Sequence, residues 1–151
     1  MFEVHAAFVS LCDSFGLCFK ECEQLFNMNE ATFAIWDNDS KGLVDAFQLF
    51  SVVCVCSSGR PEDKARFLFE LYSFAGFEGI WSVTVEFMCS MVVDGLCKLY
   101  HISTDTEATT EVQALISENF PKSTEITQKQ LVEWAISSET VNQYLSSKLF
   151  K

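Results

Sequence analysis

Histidine, proline and closely paired cysteines are what this chain has least of, and the scarcity of each removes a class of chemistry. Only His5 and His101 occur, far apart, and none of the seven cysteines (Cys12, Cys18, Cys22, Cys54, Cys56, Cys89, Cys97) belongs to a Cys-x-x-Cys pair. Zinc-ligand spacing is therefore missing. The sequence also has no glycine-rich phosphate cradle and no Gly-x-Ser-x-Gly elbow, which are the usual marks of nucleotide-using and acyl-transfer enzymes. Acid-base work would fall to carboxylates that no pattern brings together. Cys18 and Cys22 stand one helical turn apart and Cys12 falls on an apolar stripe, as core thiols do. No enzyme is expected and no catalytic residue is assigned.

Positive charge is scarce as well: 10 Lys and Arg face 21 Asp and Glu, for a formal net charge of -11. Such a surface repels phosphate backbones and anionic lipid, so the expected partners include neither nucleic acid nor a directly inserted membrane. A basic partner is the natural complement. Apolar runs such as residues 49–56 stop well short of a membrane span. The first residues carry Glu3 and no cationic lead, and Phe2 stands where myristoylation needs glycine, so neither a secretory leader nor that lipid is expected. With an odd cysteine count, reduced thiols and a cytoplasmic location follow.

What is abundant is apolar surface. Half the residues are hydrophobic (49%) and fifteen are Phe, enough for a packed core in one domain or two small lobes. Helical spacing of Val4, Phe8, Leu11, Cys12 and Phe15 predicts a first helix that Gly16 breaks, and residues 19–26 read as a second. Asn27 or Asn29 caps a third over residues 30–36. Asp45-Ala46-Phe47-Gln48 has the form of a capping box opening a helix to about Cys56, although the Val52-Val53-Cys54-Val55 run also suits a buried strand. Ser57-Ser58-Gly59-Arg60-Pro61 is the clearest break, with Pro61, Glu62 and Asp63 starting a new helix to Tyr72. Residues 73–79 are turn-like, and a helix runs from about Ser82 to Leu99. The Ser- and Thr-rich run 101–111 reads as a loop in which Thr104, with Glu107, is a candidate phosphoacceptor or cap. A helix to Phe120, a turn at residues 121–124, and a second capping box, Thr127-Gln128-Lys129-Gln130, follow. Residues 139–150 place Val141, Tyr144, Leu145 and Leu149 on one helical face.

Between the third and fourth of these helices lies Asp37-Asn38-Asp39-Ser40-Lys41-Gly42-Leu43-Val44-Asp45-Ala46-Phe47-Gln48, which has the outline of a calcium loop. Such loops place oxygen donors at positions 1, 3, 5, 9 and 12 and glycine at position 6. Asp37, Asp39 and Asp45 keep positions 1, 3 and 9 and Gly42 keeps the turn, but Lys41 brings an ammonium to position 5 and Gln48 replaces the bidentate glutamate. The alternative is an Asp-rich turn held by side-chain-to-backbone hydrogen bonds.

Aligned on this loop, the chain repeats a motif roughly every forty residues: an aromatic ends one helix, a β-former sits mid-loop, and an amphipathic helix restarts. Phe33 and Trp36 precede Val44; Phe69 and Tyr72 precede Ile80; Ile126 precedes Leu131 and Trp134; a shortened first unit lies within residues 8–26. With Phe69-Glu70-Leu71-Tyr72 before the third loop and Ile126-Thr127 leading to Leu131-Val132-Glu133-Trp134 in the last exit helix, the chain resembles the EF-hand superfamily, in the branch of the neuronal calcium sensors and calcineurin B-like proteins. The resemblance implies an all-α fold of four degenerate EF-hand units in two lobes, residues 1–58 and 61–151, plus a C-terminal amphipathic helix. It further implies that mid-loop residues such as Val44, Ile80 and Ile126 make tiny two-stranded contacts within each pair. The third loop offers Ser73, Ala75, Phe77, Trp81 and Thr84, with no carboxylate, and the fourth offers Asn119, Pro121, Ser123, Thr127 and Gln130. Both are expected to be silent.

The expected function is that of a calcium-independent adaptor or light-chain-like subunit without cofactors, binding an amphipathic, basic helix of a larger protein. The resemblance adds cytoskeletal, motor and ciliary or axonemal assemblies as a setting. Phe74, Phe77, Trp81, Met88 and Trp134 are the candidate partner contacts, or else plugs between the lobes. The terminal helix could instead fill its own groove and control access. The competing reading is a sensor that holds calcium or magnesium through Asp37, Asp39 and Asp45.

Overall fold

The computed structural model describes residue 6 and residues 15–73, 78–102 and 106–145, the side chains of 106–109, 112 and 144 excepted. The predicted helix before Gly16, Thr104, and the end of the last segment lie outside the described residues. The remainder is mainly helical, with two small antiparallel sheets. Strand β1 (Gly16–Leu17) leads to α1 (Phe19–Phe26) and α2 (Glu30–Trp36), then β2 (Val44–Asp45) and α3 (Ala46–Cys56). After a short break come α4 (Pro61–Tyr72), β3 (Gly79–Trp81), α5 (Ser82–Tyr100), α6 (Thr106–Asn119), β4 (Glu125–Thr127), α7 (Gln128–Ser137) and α8 (Glu139–Leu145).

Local chemistry explains most of the boundaries. Asn29, not Asn27, caps α2, its Oδ1 accepting from the Thr32 N–H at 2.9 Å. Asn27 instead ends α1 in the left-handed conformation that asparagine tolerates. Pro61 opens α4 with Glu62 and Asp63 in its first turn, where a missing N–H costs nothing and negative charge is favoured. The Thr127 box closes in both directions: the Gln130 N–H donates to Thr127 Oγ1 and the Thr127 N–H to Gln130 Oε1. The Asp45 box closes in only one, because Asp45 Oδ1 accepts from the Gln48 N–H at 2.9 Å while the Gln48 side chain turns inward.

One alternative falls away and one expectation is corrected. The helix expected from Asp45 to about Cys56 is present and its Val52-Val53-Cys54-Val55 run is not a strand; both faces of α3 are buried, so hydrophobicity has no period to report. The run 101–111 is not one loop, for α6 begins at Thr106. Its Glu107, Ala108 and Glu111 are helix-compatible, and the weight of Ser and Thr obscured that.

In each sheet one apolar pair faces the core. Leu17 pairs with Val44 and Ile80 with Ile126, and all four are buried. Each sheet gains a flanking backbone bond: the Ala46 N–H donates to the Phe15 carbonyl, the Ser82 N–H to the Thr124 carbonyl. These bonds bring the starts of α3 and α5 to the same point of each turn.

The N- and C-terminal sequences share one hydrophobic cluster. Gly95 lets α5 lie against α3, because a Cβ there would stand 2.4 Å from Val52 Cγ2 and 3.0 Å from Gln48 Cγ. Ser51 Oγ and Tyr72 Oη share a buried hydrogen bond of 2.9 Å between α3 and α4. Tyr72 also continues a chain of ring contacts through Phe47 to Phe15 and, on its other side, to Phe87.

The cysteines among the described residues are thiols and not disulfides. Burial pushes the Cys54 thiol up to about 12 from 9.0, and burial raises Tyr72 as well. A raised folded-state value means the unfolded chain loses its proton first, so the stabilisation is complete below the unfolded value and declines as pH rises through it. Unfolding free energy should therefore fall from about pH 9 towards pH 12, by up to about 1.4 kcal/mol per pH unit for the Cys54 thiol. Urea titrations across this range should show that slope, and Cys54→Ala should make it shallower while leaving the share due to Tyr72 and Cys89; a flat alkaline profile in the unaltered chain would contradict the burial.

Candidate metal loop and helix groove

The turn over residues 37–48 is closed by its own groups. Asp37 Oδ1 accepts from the Lys41 N–H at 3.0 Å and Oδ2 from the Gly42 N–H at 2.9 Å. Ser40 and Gly42 take positive φ, 54° and 77°, and glycine meets that demand without Cβ strain. The Lys41 ammonium sits 2.6 Å from Asp39 Oδ2. That contact holds the Asp39 carboxyl below its usual range and raises Lys41.

Gln48 leaves the loop altogether. Its side chain is buried, and its Oε1 accepts from Lys98 Nζ of α5 at 2.7 Å. The structure thus brings Asp37 and Asp39 into one turn and leaves Asp45 as a helix cap. Each Asp37 oxygen keeps a second lone pair, so its N–H bonds alone would not bar an ion. An ammonium beside Asp39, though solvent-exposed, and a position-12 amide bonded elsewhere do not fit calcium, which needs six to eight oxygens. Among the described residues no cluster of three or more His, Cys, Asp or Glu is placed to hold a metal.

The second feature is an apolar groove formed by α4, α5 and α7. Leu68, Met88, Val92, Leu131 and Trp134 line it around a cavity of about 60 Å3, and α8 covers it with Val141 and Leu145. Two of the candidate partner contacts, Met88 and Trp134, therefore lie buried beneath α8. Trp134 packs edge-on to Phe120 with ring centroids 5.1 Å apart, and its buried Nε1–H has no acceptor among the described residues. Trp81 is elsewhere: it is 54% exposed and borders a shallow depression with Val83, Glu86 and Lys122. Phe74 and Phe77 fall outside the described residues.

Lys64 was not singled out from the sequence. It is only 3% exposed, and its Nζ donates to the Val55 and Leu145 carbonyls, each at 2.6 Å. The first is a carbonyl of the last turn of α3, where the helix dipole favours a cation. Burial lowers its pKa. The signal was present in the spacing: Lys64, Leu68, Leu71 and Tyr72 share one stripe of α4, and a lysine on that stripe needs carbonyl or carboxylate partners.

No protein-family model matches the sequence, and no curated protein matches it significantly. Among the described residues no helix is long and apolar enough to cross a membrane.

Removing the Asp37 carboxylate would free two loop N–H groups. Asp37→Ala should lower unfolding free energy by about 1–2 kcal/mol, and Asp37→Asn by less because it keeps an acceptor. Urea unfolding in chelator measures this; equal stability of all three proteins would show that Asp37 does not hold the turn.

Proposed function

We propose that this chain is a calcium-independent EF-hand adaptor, or light-chain-like subunit, that clamps an amphipathic, basic helix of a larger protein. One observation carries this: in the loop with the outline of a calcium site Lys41 pairs with Asp39, and Gln48 is committed to Lys98. Calcium opens helix pairs in sensors of this type by rearranging the loop and its exit helix. Here the exit helix, α3, is already tied to α5, so binding would not wait for an ion.

Two further features support the proposal. Paired β-formers at mid-loop, Leu17 with Val44 and Ile80 with Ile126, give the helix-loop-helix units a way to associate in twos. The apolar groove under α8 already accommodates one amphipathic helix, and recognition of helices in grooves relies on apolar anchors at such spacings. Acidic surface, from a net charge of -11, would speed encounter with a basic target and make its rate salt-dependent. Cytoskeletal or axonemal assemblies remain the setting suggested by the resemblance.

Calorimetric titration with millimolar calcium should give no saturable heat, and a partner co-purified from the native source should stay bound in chelator. A saturable heat abolished by Asp37→Ala would establish the sensor instead.

A further inference from the structure

Gln48 has one half of its amide unanswered. Its Oε1 accepts from Lys98 Nζ at 2.7 Å, which fixes the way the amide points, and its amide N–H groups have no partner among the described residues although the residue is only 6% exposed. An amide this buried ordinarily has both ends bonded. Gln48 lines an open cleft of about 890 Å3 between α2 and the C-terminal half of α5, and such a volume is that of a small-molecule site. Asp94 and Lys98 stand one turn apart on the α5 wall, a spacing at which opposite charges ordinarily meet. Here they do not: Lys98 reaches inward to Gln48, and Asp94 has no ion pair among the described residues. The other wall, from α2, consists of Ala31, Ala34 and Ile35. Both alanines are exposed, so that wall is apolar and leaves room.

We propose that this cleft binds a small zwitterion, an α-amino acid with an apolar side chain: its carboxylate accepts from Lys98 Nζ and the Gln48 amide, its ammonium meets Asp94, and its side chain lies against Ala31, Ala34 and Ile35. Lys98 has two N–H donors beyond the one given to Gln48, so it can serve both. The ligand carboxylate supplies the acceptor that the Gln48 amide lacks. His101, just past the end of α5, borders the same cleft and can donate to that carboxylate as well. An anion alone fits worse, because it would stand beside Asp94 and near the end of α5, where the helix dipole favours positive charge. A phosphate fits worse still in a chain of net charge -11. An amine alone would leave Lys98 and Gln48 unanswered. The inference does not draw on the adaptor reading, since the cleft shares no lining residue with the groove under α8.

Calorimetry and amide chemical shifts on the full chain test this, with leucine, methionine and phenylalanine as probes beside the deaminated acid and the decarboxylated amine of each. At least one amino acid should give saturable shifts centred on residues 31–35 and 94–102. Its acid and its amine should each bind roughly ten- to hundredfold more weakly, the loss expected for one charge-assisted bond. Asp94→Asn should weaken the amino acid by the same factor and leave the deaminated acid as it was or tighter. Ala34→Phe, at an exposed position of α2, should fill the cleft and abolish binding of both. Lys98→Met should weaken the amino acid and the acid but not the amine; should that variant fail to fold, Asp94→Asn and Ala34→Phe decide. Equal binding of an amino acid and its deaminated acid, or an amino acid insensitive to Asp94→Asn, would overturn the zwitterion. Absence of saturable shifts in the cleft with all three amino acids would overturn the site itself. Neither result touches the adaptor reading, which the calcium titration and the co-purified partner test separately.

Discussion

The turn over residues 37–48 reverses the chain between α2 and α3 with bonds among its own groups, and much of the N-terminal sequence is arranged around that turn. A carboxylate that accepts two backbone N–H groups, Asp37, does locally what a cation would do by gathering oxygens. Lys41 completes the turn by neutralising Asp39 from within the same loop. Once the loop is closed, Val44 reaches Leu17, Asp45 caps α3, and α3 starts in a fixed direction. The second sheet, Ile80 against Ile126, sets α5 and α7 in the same way.

From there the long helix α5 does most of the joining. Gly95 permits its close approach to α3, and Lys98 meets the buried Gln48 amide, turning a residue that would face an ion into a cross-helix strut. A neutral amide accepting from an ammonium in a partly buried place is a charge-assisted bond, stronger than a neutral pair. The loop and the core are thus linked through one side chain: making Gln48 available to the loop would leave Lys98 without that acceptor. Lys64 plays a comparable part at the other end of α3, where it joins the Val55 carbonyl to the Leu145 carbonyl of α8. Both lysines thus bond inward, to an amide oxygen in one case and to backbone carbonyls in the other.

Elements with strong local chemistry were legible in the sequence. Pro61 with two acids after it, the Thr127 and Gln130 pair, and β-formers placed mid-loop each have a single favourable use, and the structure uses them so. Less was legible where one composition serves two purposes. Residues 106–111 are rich in Thr and Glu, which suit a solvated loop and the first turn of a helix equally well. The Val52 to Val55 run was ambiguous because burial on both faces erases periodicity. For the site, the loop's departure from an ion cage could be read from Lys41 and Gln48, but not where Gln48 would turn, since Lys98 is fifty residues away in sequence. Trp81, Met88 and Trp134 looked alike as exposed or exposable apolar residues; only packing separates the solvent-facing Trp81 from the two beneath α8.

The central claim is that the loop needs no ion, and thermal unfolding in chelator against unfolding in excess calcium tests it most directly. A ligand present at a hundred times its dissociation constant stabilises the native state by about 2.7 kcal/mol, which for a chain of this size would raise the midpoint by roughly 5–10 °C. Superimposable curves are the predicted result. A calcium-dependent rise of that size, lost in Asp37→Ala, would contradict it.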